Sequence, residues 1–151
     1  MTALGGSSLG GQIGQCLCGA VKVHGELRSG DVQACHCGQC QRWTGGGPLL
    51  AVRVQDLEIE AEAEIETYQA SNHGERAFCR TCGSTLYWKM QGKPPSFVAL
   101  GLLDDQSGLS VTEEIFVDYR PAWMPAWPDA TQRTEADMLD ALAAYLDGGA
   151  T

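Results

Sequence analysis

Basic residues and long apolar runs are both scarce in this sequence. Lys and Arg together number 10 against 19 Asp and Glu, which gives a formal net charge of -9 at pH 7. Nucleic acids and anionic membranes are bound mainly through clustered Lys and Arg, so we expect neither of them as a partner. The longest apolar stretch, FVALGLL at residues 97–103, is far shorter than the roughly 20 residues of a membrane-spanning helix.

The first residues also lack the features of a secretory signal. The opening MTALGGSSLGGQIG has neither a basic start nor an apolar core. We therefore expect a cytoplasmic protein, whose thiols stay reduced. Seven cysteines in such a compartment, an odd number that leaves one unpaired, favour metal binding over disulfide bonds.

The chain has the length of one ordinary domain. Residues 1–13 are rich in Gly and Ser and are predicted to form a flexible tail. No linker or charge run divides the remainder, so residues 14–151 are predicted to form a single domain. A chain of this length can bury a sizeable core, and a metal would reinforce that core rather than replace it.

Alternating and β-branched segments predict a mainly β fold. The segments AVKVHGEL from Ala20, LLAVRV from Leu49, SFVALGLL and EEIFVDY are expected to be strands. LEIEAEAEIE alternates apolar residues with Glu from Leu57 to Glu66, which predicts one half-buried strand. We assign its glutamates no catalytic role, because a polar strand face needs none.

The last quarter of the chain has a different character. YRPAWMPAWPDA is expected to be extended, with Trp123 and Trp127 covering the core. Thr134 and Asp137 then resemble a helix N-cap, and Gly148 ends the run. The apolar residues of this predicted C-terminal helix share one face: Met138, Leu139, Leu142, Tyr145 and Leu146.

Four of the cysteines form two closely spaced pairs. Cys16 and Cys18 can face one side of a strand, while Cys79 and Cys82 occupy a predicted tight turn followed by Gly83. Two such pairs supply the four sulfurs of a closed structural zinc site. An iron–sulfur cluster is less favoured, because ferredoxin-type spacing is absent.

The other three cysteines, Cys35, Cys37 and Cys40, can bind a second ion. His36 lies between two of them and is one candidate for a fourth ligand, although an extended backbone would turn its ring away. Water or a substrate thiol is the other candidate, and this arrangement is typical of catalytic zinc. The three thiols can also be read as simply reduced and free of metal.

Five stretches of the sequence resemble the family of glutathione-dependent formaldehyde-activating enzymes, whose relatives include centromere protein V. They occur in the family's order and include all seven cysteines: CLCGAV from Cys16, CHCGQCQRWTGG from Cys35, RAFCRTCGSTL from Arg76, VALGLLDD from Val98 and IFVDYRPAW from Ile115. The resemblance implies a zinc-bound, mostly antiparallel β-tent (Mss-like) fold.

The resemblance also implies roles for the cysteines. Cys16, Cys18, Cys79 and Cys82 would hold a structural zinc ion, and Cys35, Cys37 and Cys40 would be the catalytic residues that hold a second. The implied activity is that of a carbon–sulfur lyase, which joins formaldehyde and glutathione to S-hydroxymethylglutathione. A small thiol of this kind and a small aldehyde are therefore the expected partners.

Substrate contacts can be suggested from charge and position. Glutathione carries two carboxylates, so Arg42, Arg76 and Arg80 are candidates for binding it, and Trp43 for packing over the site. The sequence departs from the family at Glu114, where the family commonly has His before Ile-Phe-Val. The alternative function is a non-catalytic, zinc-stabilised module that binds another protein.

Overall fold

A computed structural model describes residues 10–148 of the chain. These residues form two compact units. The first unit contains residues 10–30 and 51–109, and the second contains residues 31–50 and 110–148. None of the helices in this range is long and apolar enough to cross a membrane.

Strands outnumber helices in both units, which confirms the mainly β prediction. The strands are β1 (Gln12–Gln15), β2 (Lys22–Glu26), β3 (Asp31–Cys35), β4 (Leu49–Arg53), β5 (Gln55–Glu60), β6 (Ile65–Tyr68), β7 (Gly74–Cys79), β8 (Thr85–Met90), β9 (Phe97–Ala99), β10 (Ser110–Ile115) and β11 (Thr131–Arg133). The helices are α1 (Gly38–Thr44) and α2 (Glu135–Asp147).

Antiparallel pairing builds the first unit. One sheet has the order β1-β2-β5 and another the order β6-β7-β8. Residues 51–53 of β4 are also antiparallel to β9. Alternate residues of these strands point inward, so the buried set consists of small and branched apolar side chains, among them Val21, Val23, Val52, Leu86 and Val98.

Parallel pairing distinguishes the second unit. Strand β10 runs parallel to both β3 and β11. Its register with β3 sets Glu114 opposite Ala34 and Ile115 opposite Cys35. The end of β10 therefore lies beside the point where β3 leads into the three-cysteine segment.

The predicted C-terminal helix is confirmed as α2. Thr134 is its N-cap, and a reciprocal capping box joins Thr134 and Asp137. The predicted apolar face exists, but none of the residues of α2 is buried, and Leu139 and Leu146 are exposed. Capping by Thr134 and Asp137, rather than packing, thus defines where this helix begins.

Two predictions about extended segments are wrong. LEIEAEAEIE is not one strand, because Ala61 takes a left-handed conformation (φ 71°) and a 3-10 turn at Glu62–Glu64 separates β5 from β6. Trp123 does not cover the core, since 76% of its surface is exposed. Alternation of residue types cannot reveal a single left-handed residue, and this is why the sequence suggested continuity.

The predicted tail falls mostly outside the described residues. Residues 1–9 of the tail are not described, and strand β1 begins at Gln12, inside the tail's expected bounds. The single domain over residues 14–151 stays a prediction.

Candidate functional site

Four cysteine side chains meet in the first unit. Cys16 and Cys18 lie in a turn after β1, closed by the Gly19 N–H donating to the Cys16 carbonyl at 3.1 Å. Cys79 ends β7, and the Gly83 N–H donates to its carbonyl at 2.8 Å, with Gly83 at φ 77°. The first pair was expected on a strand, but both pairs are presented by turns.

The spacing of these sulfurs fits a tetrahedral metal ion. The Sγ atoms of Cys16 and Cys18 are 3.7 Å apart, and those of Cys18 and Cys79 are 3.9 Å apart. With Cys82 included, all four sulfurs lie within 4.8 Å of one another. A tetrahedron with Zn–S bonds of about 2.3 Å has S–S edges of roughly 3.8 Å. The cluster can therefore hold zinc.

Hydrogen-bond donors surround this cluster. The Val21 N–H donates to Cys16 Sγ at 3.3 Å, and the Ser84 hydroxyl lies 3.2 Å from Cys82 Sγ. The pKa of the Cys82 thiol is lowered to about 5, with the Ser84 hydroxyl as the largest of several hydrogen-bonding causes, even though burial acts in the opposite direction. Such donors stabilise the thiolate form that metals bind.

The remaining three cysteines meet in the second unit. Cys35 ends β3, Cys37 is the N-cap of α1, and Cys40 lies in the first turn of that helix. The Cys40 N–H donates to Cys37 Sγ at 3.3 Å, and the three sulfurs lie within 4.8 Å of one another.

The chemistry of this second cluster also suits a cation. The pKa of the Cys35 thiol is raised, chiefly by hydrogen bonding to the sulfurs of Cys37 and Cys40 and to a smaller extent by burial. Three thiolates cannot share so small a volume without a positive charge between them. A bound metal ion supplies that charge, so the residues present fit one.

His36 is not grouped with the three sulfurs. Within residues 10–148, only Cys35, Cys37 and Cys40 contribute ligand atoms to this cluster. The His36 Nε2–H instead donates to Glu114 Oε1 at 2.7 Å, and both side chains are fully buried. Among the described residues, this cluster therefore has three potential ligand atoms, all of them sulfur.

The sequence distinguishes Glu114 from the family's usual His but does not predict where its side chain lies. The structure buries it fully, with its carboxylate bonded to His36 of the cysteine loop. A run of two glutamates on a strand gives no signal of which one is buried, and the parallel register with β3 decides it.

The predicted substrate-contact residues have different surroundings. Arg42 is in the last turn of α1, and a Cβ built on Gly38 would lie 3.7 Å from its Nη1, so its guanidinium folds back along the cysteine loop. Trp43 is on the same helix. In the first unit, Arg76 is buried on β7, and the exposed Arg80 donates from Nη2 to Glu66 Oε1 at 2.7 Å.

Comparison with known proteins gives consistent results. The chain is 27% identical over 109 residues to a Schizosaccharomyces pombe protein named as an uncharacterized lyase, covering 72% of this chain and 80% of that one. A crystal structure of a Rhodobacter sphaeroides protein matches with a TM-score of 0.50 at 24% identity, over 80% of this chain and 98% of that one, and indicates a shared fold.

The family comparison agrees with the resemblance of the cysteine motifs. A family model described as glutathione-dependent formaldehyde-activating enzyme (GFA) matches residues 12–119, which include both cysteine clusters, β10 and the Glu114 position. This span is well over half of the chain. The chain therefore belongs to the family of glutathione-dependent formaldehyde-activating enzymes.

Proposed function

We propose that the chain is a zinc-dependent carbon–sulfur lyase that joins a small thiol such as glutathione to formaldehyde or another small aldehyde, and releases them in reverse. Membership of the family supports the reaction class. The observation that carries the proposal is the second cluster, which has three converging sulfurs and no fourth ligand among the described residues.

The two clusters are proposed to have different roles. Cys16, Cys18, Cys79 and Cys82 would complete the shell of one zinc ion, so that ion would be structural. Cys35, Cys37 and Cys40 would bind a second zinc ion and leave one position open. When bound there, zinc would lower the pKa of an incoming thiol enough to hold it as a thiolate near neutral pH.

The bond changes of the reaction are simple. The substrate thiol gives up its proton, its sulfur forms a bond to the carbonyl carbon, the π electron pair moves to the oxygen, and that oxygen takes up a proton in its place. No redox step is required, and the reverse reaction breaks the same carbon–sulfur bond. Three thiolates around one ion favour reversible binding of a thiolate over activation of water, since their charge offsets much of the metal's.

Arg42 is the proposed carboxylate-binding residue on the same helix as Cys40. Its guanidinium lies along the loop that carries Cys37 and Cys40 and can pair with a carboxylate of the thiol substrate. Trp43 is proposed to pack against the substrate. For Arg76 and Arg80 a substrate contact remains a proposal, and Arg80 would have to exchange its bond to Glu66 for one to the substrate.

A rate measurement tests the proposal. Purified protein should consume formaldehyde in the presence of glutathione faster than the spontaneous reaction. Cys37→Ser should reduce the rate to the spontaneous level, because it removes one of the three sulfurs. Gln39→Ser, an exposed position between Cys37 and Cys40, is the matched control and should keep the excess rate.

Folding and metal content are measured on the same samples. Cys37→Ser should retain the circular dichroism of the wild type and one zinc ion per chain. If the wild type shows no excess rate with glutathione or with other small thiols, the lyase proposal is wrong. In that case the non-catalytic zinc module becomes the better description.

A further inference from the structure

The position of Glu114 follows from the parallel pairing of β10 with β3. This register places Glu114 beside Ala34, and the His36 N–H donates to the Ile115 carbonyl at 3.0 Å. The Glu114 side chain thereby reaches the ring of His36. His36 is the residue between Cys35 and Cys37, so a hydrogen bond that fixes His36 also restrains the backbone of the cysteine loop.

Four hydrogen-bond donors converge on the Glu114 carboxylate. Oε1 accepts from His36 Nε2 at 2.7 Å and from Arg120 Nη1 at 3.1 Å. Oε2 accepts from the Trp127 backbone N–H at 2.8 Å and from Gln132 Nε2 at 2.7 Å. One buried side chain thus connects the cysteine loop to three separate points of the following segment.

Only a carboxylate satisfies this arrangement. All four partners are donors, and an ionised carboxylate accepts through both oxygens and donates through neither. A glutamine amide of the same size would direct its NH2 group at two of the donors in either orientation. Burial acts to raise the pKa of the Glu114 carboxyl, but the bonds from Gln132, His36, Trp127 and Arg120 outweigh it and hold the pKa below its ordinary value.

Two further features mark the same region: a side-chain tie from Gln41 and a strained backbone at Phe116. Gln41 Nε2 donates to the carbonyl oxygens of His36 at 2.8 Å and Tyr119 at 3.0 Å, which ties α1 to the residues after β10. Phe116, directly after β10, has a left-handed backbone (φ 57°). For a bulky residue this conformation costs about 1–3 kcal/mol and persists only where the surroundings impose it.

We propose that Glu114 is the positioning residue of the three-cysteine cluster: it fixes His36, and through it the backbone that presents Cys35 and Cys37. The proposal rests on the proposed function in one respect, that this cluster holds a metal ion. Glu114 itself contributes no ligand atom to the cluster. It acts on the site through His36 and through the segment that carries Arg120, Trp127 and Gln132.

The test compares Glu114→Gln with Glu113→Gln. Glu113 is the neighbouring residue of β10, and it accepts hydrogen bonds from Gln33 and Arg133 instead. Each variant is titrated with Co²⁺. The absorption spectrum of thiolate-bound Co²⁺ distinguishes a site with four sulfurs from a site with three. Glu114→Gln should weaken binding of the second Co²⁺ ion about 10-fold, the lower end of the effect seen when a ligand loses its own hydrogen-bond partner, and should alter its spectrum. Glu113→Gln should bind both equivalents like the wild type.

Hydrogen exchange gives a readout that does not need the metal. In Glu114→Gln, amides of residues 36–44 and 116–133 should exchange faster than in the wild type, whereas residues 74–90 of the first unit should not change. If the wild type binds only one metal ion, the proposed function is wrong, and the exchange pattern still decides the role of Glu114. Wild-type exchange and wild-type Co²⁺ affinity in Glu114→Gln would overturn the proposal.

A charge swap provides the rescue. In Glu114→Gln combined with Gln132→Glu, the new amide can donate to the new carboxylate, and Arg120, which already donates to Gln132 at 3.0 Å, keeps a partner. The double variant should recover part of the lost Co²⁺ affinity, and no recovery would count against the proposal. If Glu114→Gln does not fold, Gln132→Ala removes a single donor and should give a smaller effect in the same direction. An unchanged Gln132→Ala protein would then overturn it.

Discussion

Gly14 illustrates how a single residue can set the close approach of two backbones. It forms an antiparallel bridge with Leu103 in the first unit. A Cβ built on Gly14 would lie 2.7 Å from the carbonyl carbon of Leu102 and closer still to its oxygen. Because backbone atoms cannot move aside as a flexible side chain can, any residue with a Cβ has to push these two segments apart.

We therefore predict that Gly14→Ala lowers the free energy of unfolding by about 1–3 kcal/mol or more, as overpacking does. Gly101→Ala is the matched control, because Gly101 directly precedes Leu102 and a Cβ there meets nothing within 4 Å. Its effect should be below about 1 kcal/mol. Urea denaturation measures both, and equal effects would mean that the close approach at Gly14 is not what matters.

At the residue scale, the sequence predicted which cysteines lie together better than it predicted the residues that support them. The cysteine spacings identified both clusters, because close pairs of thiols have few other uses in a reduced protein. Glu114 and Ser84 could not be assigned in the same way. Their roles depend on a parallel register and on a turn geometry, and no local pattern of residues encodes either of them.

At the scale of elements, strands were predicted where β-branched residues gather, and the errors occurred where one residue leaves the extended conformation. Ala61 interrupts the alternating glutamate segment, and Phe116 ends β10 before the predicted EEIFVDY strand is complete. Both have positive φ without being glycine. Sequence patterns rarely predict such residues, since tertiary contacts impose them.

Helix α2 offers a test of capping. The Thr134 N–H donates to Asp137 Oδ2 at 2.8 Å and the Asp137 N–H donates to Thr134 Oγ1 at 3.2 Å. Thr134→Ala should destabilise the helix by about 1 kcal/mol, because no buried residue of α2 compensates for the lost cap. Circular dichroism at neutral pH measures the loss of helix, and Asp140→Ala, in the body of the helix, is the control.

The same cap gives an expectation about pH. The backbone and side chain of Thr134 lower the pKa of the Asp137 carboxyl. Because the pKa of Asp137 is lower in the folded chain than in the unfolded chain, its ionised carboxylate stabilises the folded protein. This stabilisation is complete above the unfolded pKa and is lost as the pH falls through the folded pKa. In a carboxyl NMR titration, Thr134→Ala should move the pKa of Asp137 upward only in part, because alanine keeps the backbone N–H that donates to Asp137 Oδ2. An unchanged pKa would contradict a contribution from the Thr134 side chain.

At the scale of the whole molecule, the four-cysteine cluster joins parts of the chain that are distant in sequence. Cys18 and Cys79 are 61 residues apart. Apparent binding energies of structural zinc are on the order of 10 kcal/mol, comparable with the total stability of a domain. The mainly β fold and the C-terminal helix were predictable, whereas the parallel order around β10 was not, because it joins segments that no local signal relates.

We predict that Cys79→Ser lowers the Tm by roughly 10 °C or more, since it removes one of the four sulfurs proposed to hold a structural ion, a site worth several kcal/mol. Cys37→Ser should lower the Tm less, because Cys37 belongs to the other cluster. Differential scanning calorimetry with bound metal quantified for each variant makes the comparison. A larger loss in Cys37→Ser would reverse the proposed structural and catalytic assignment of the two clusters.

The pairing of His36 with Glu114 also has a consequence for protein synthesis. The two residues are 78 positions apart, so at about 5–20 residues per second the ribosome makes the cysteine loop roughly 4–16 s before the carboxylate that holds it. During that interval Cys35, Cys37 and Cys40 emerge from the exit tunnel without their support. If Glu114 positions the loop as proposed, the nascent cysteine loop gains this support only when β10 has followed it out of the ribosome.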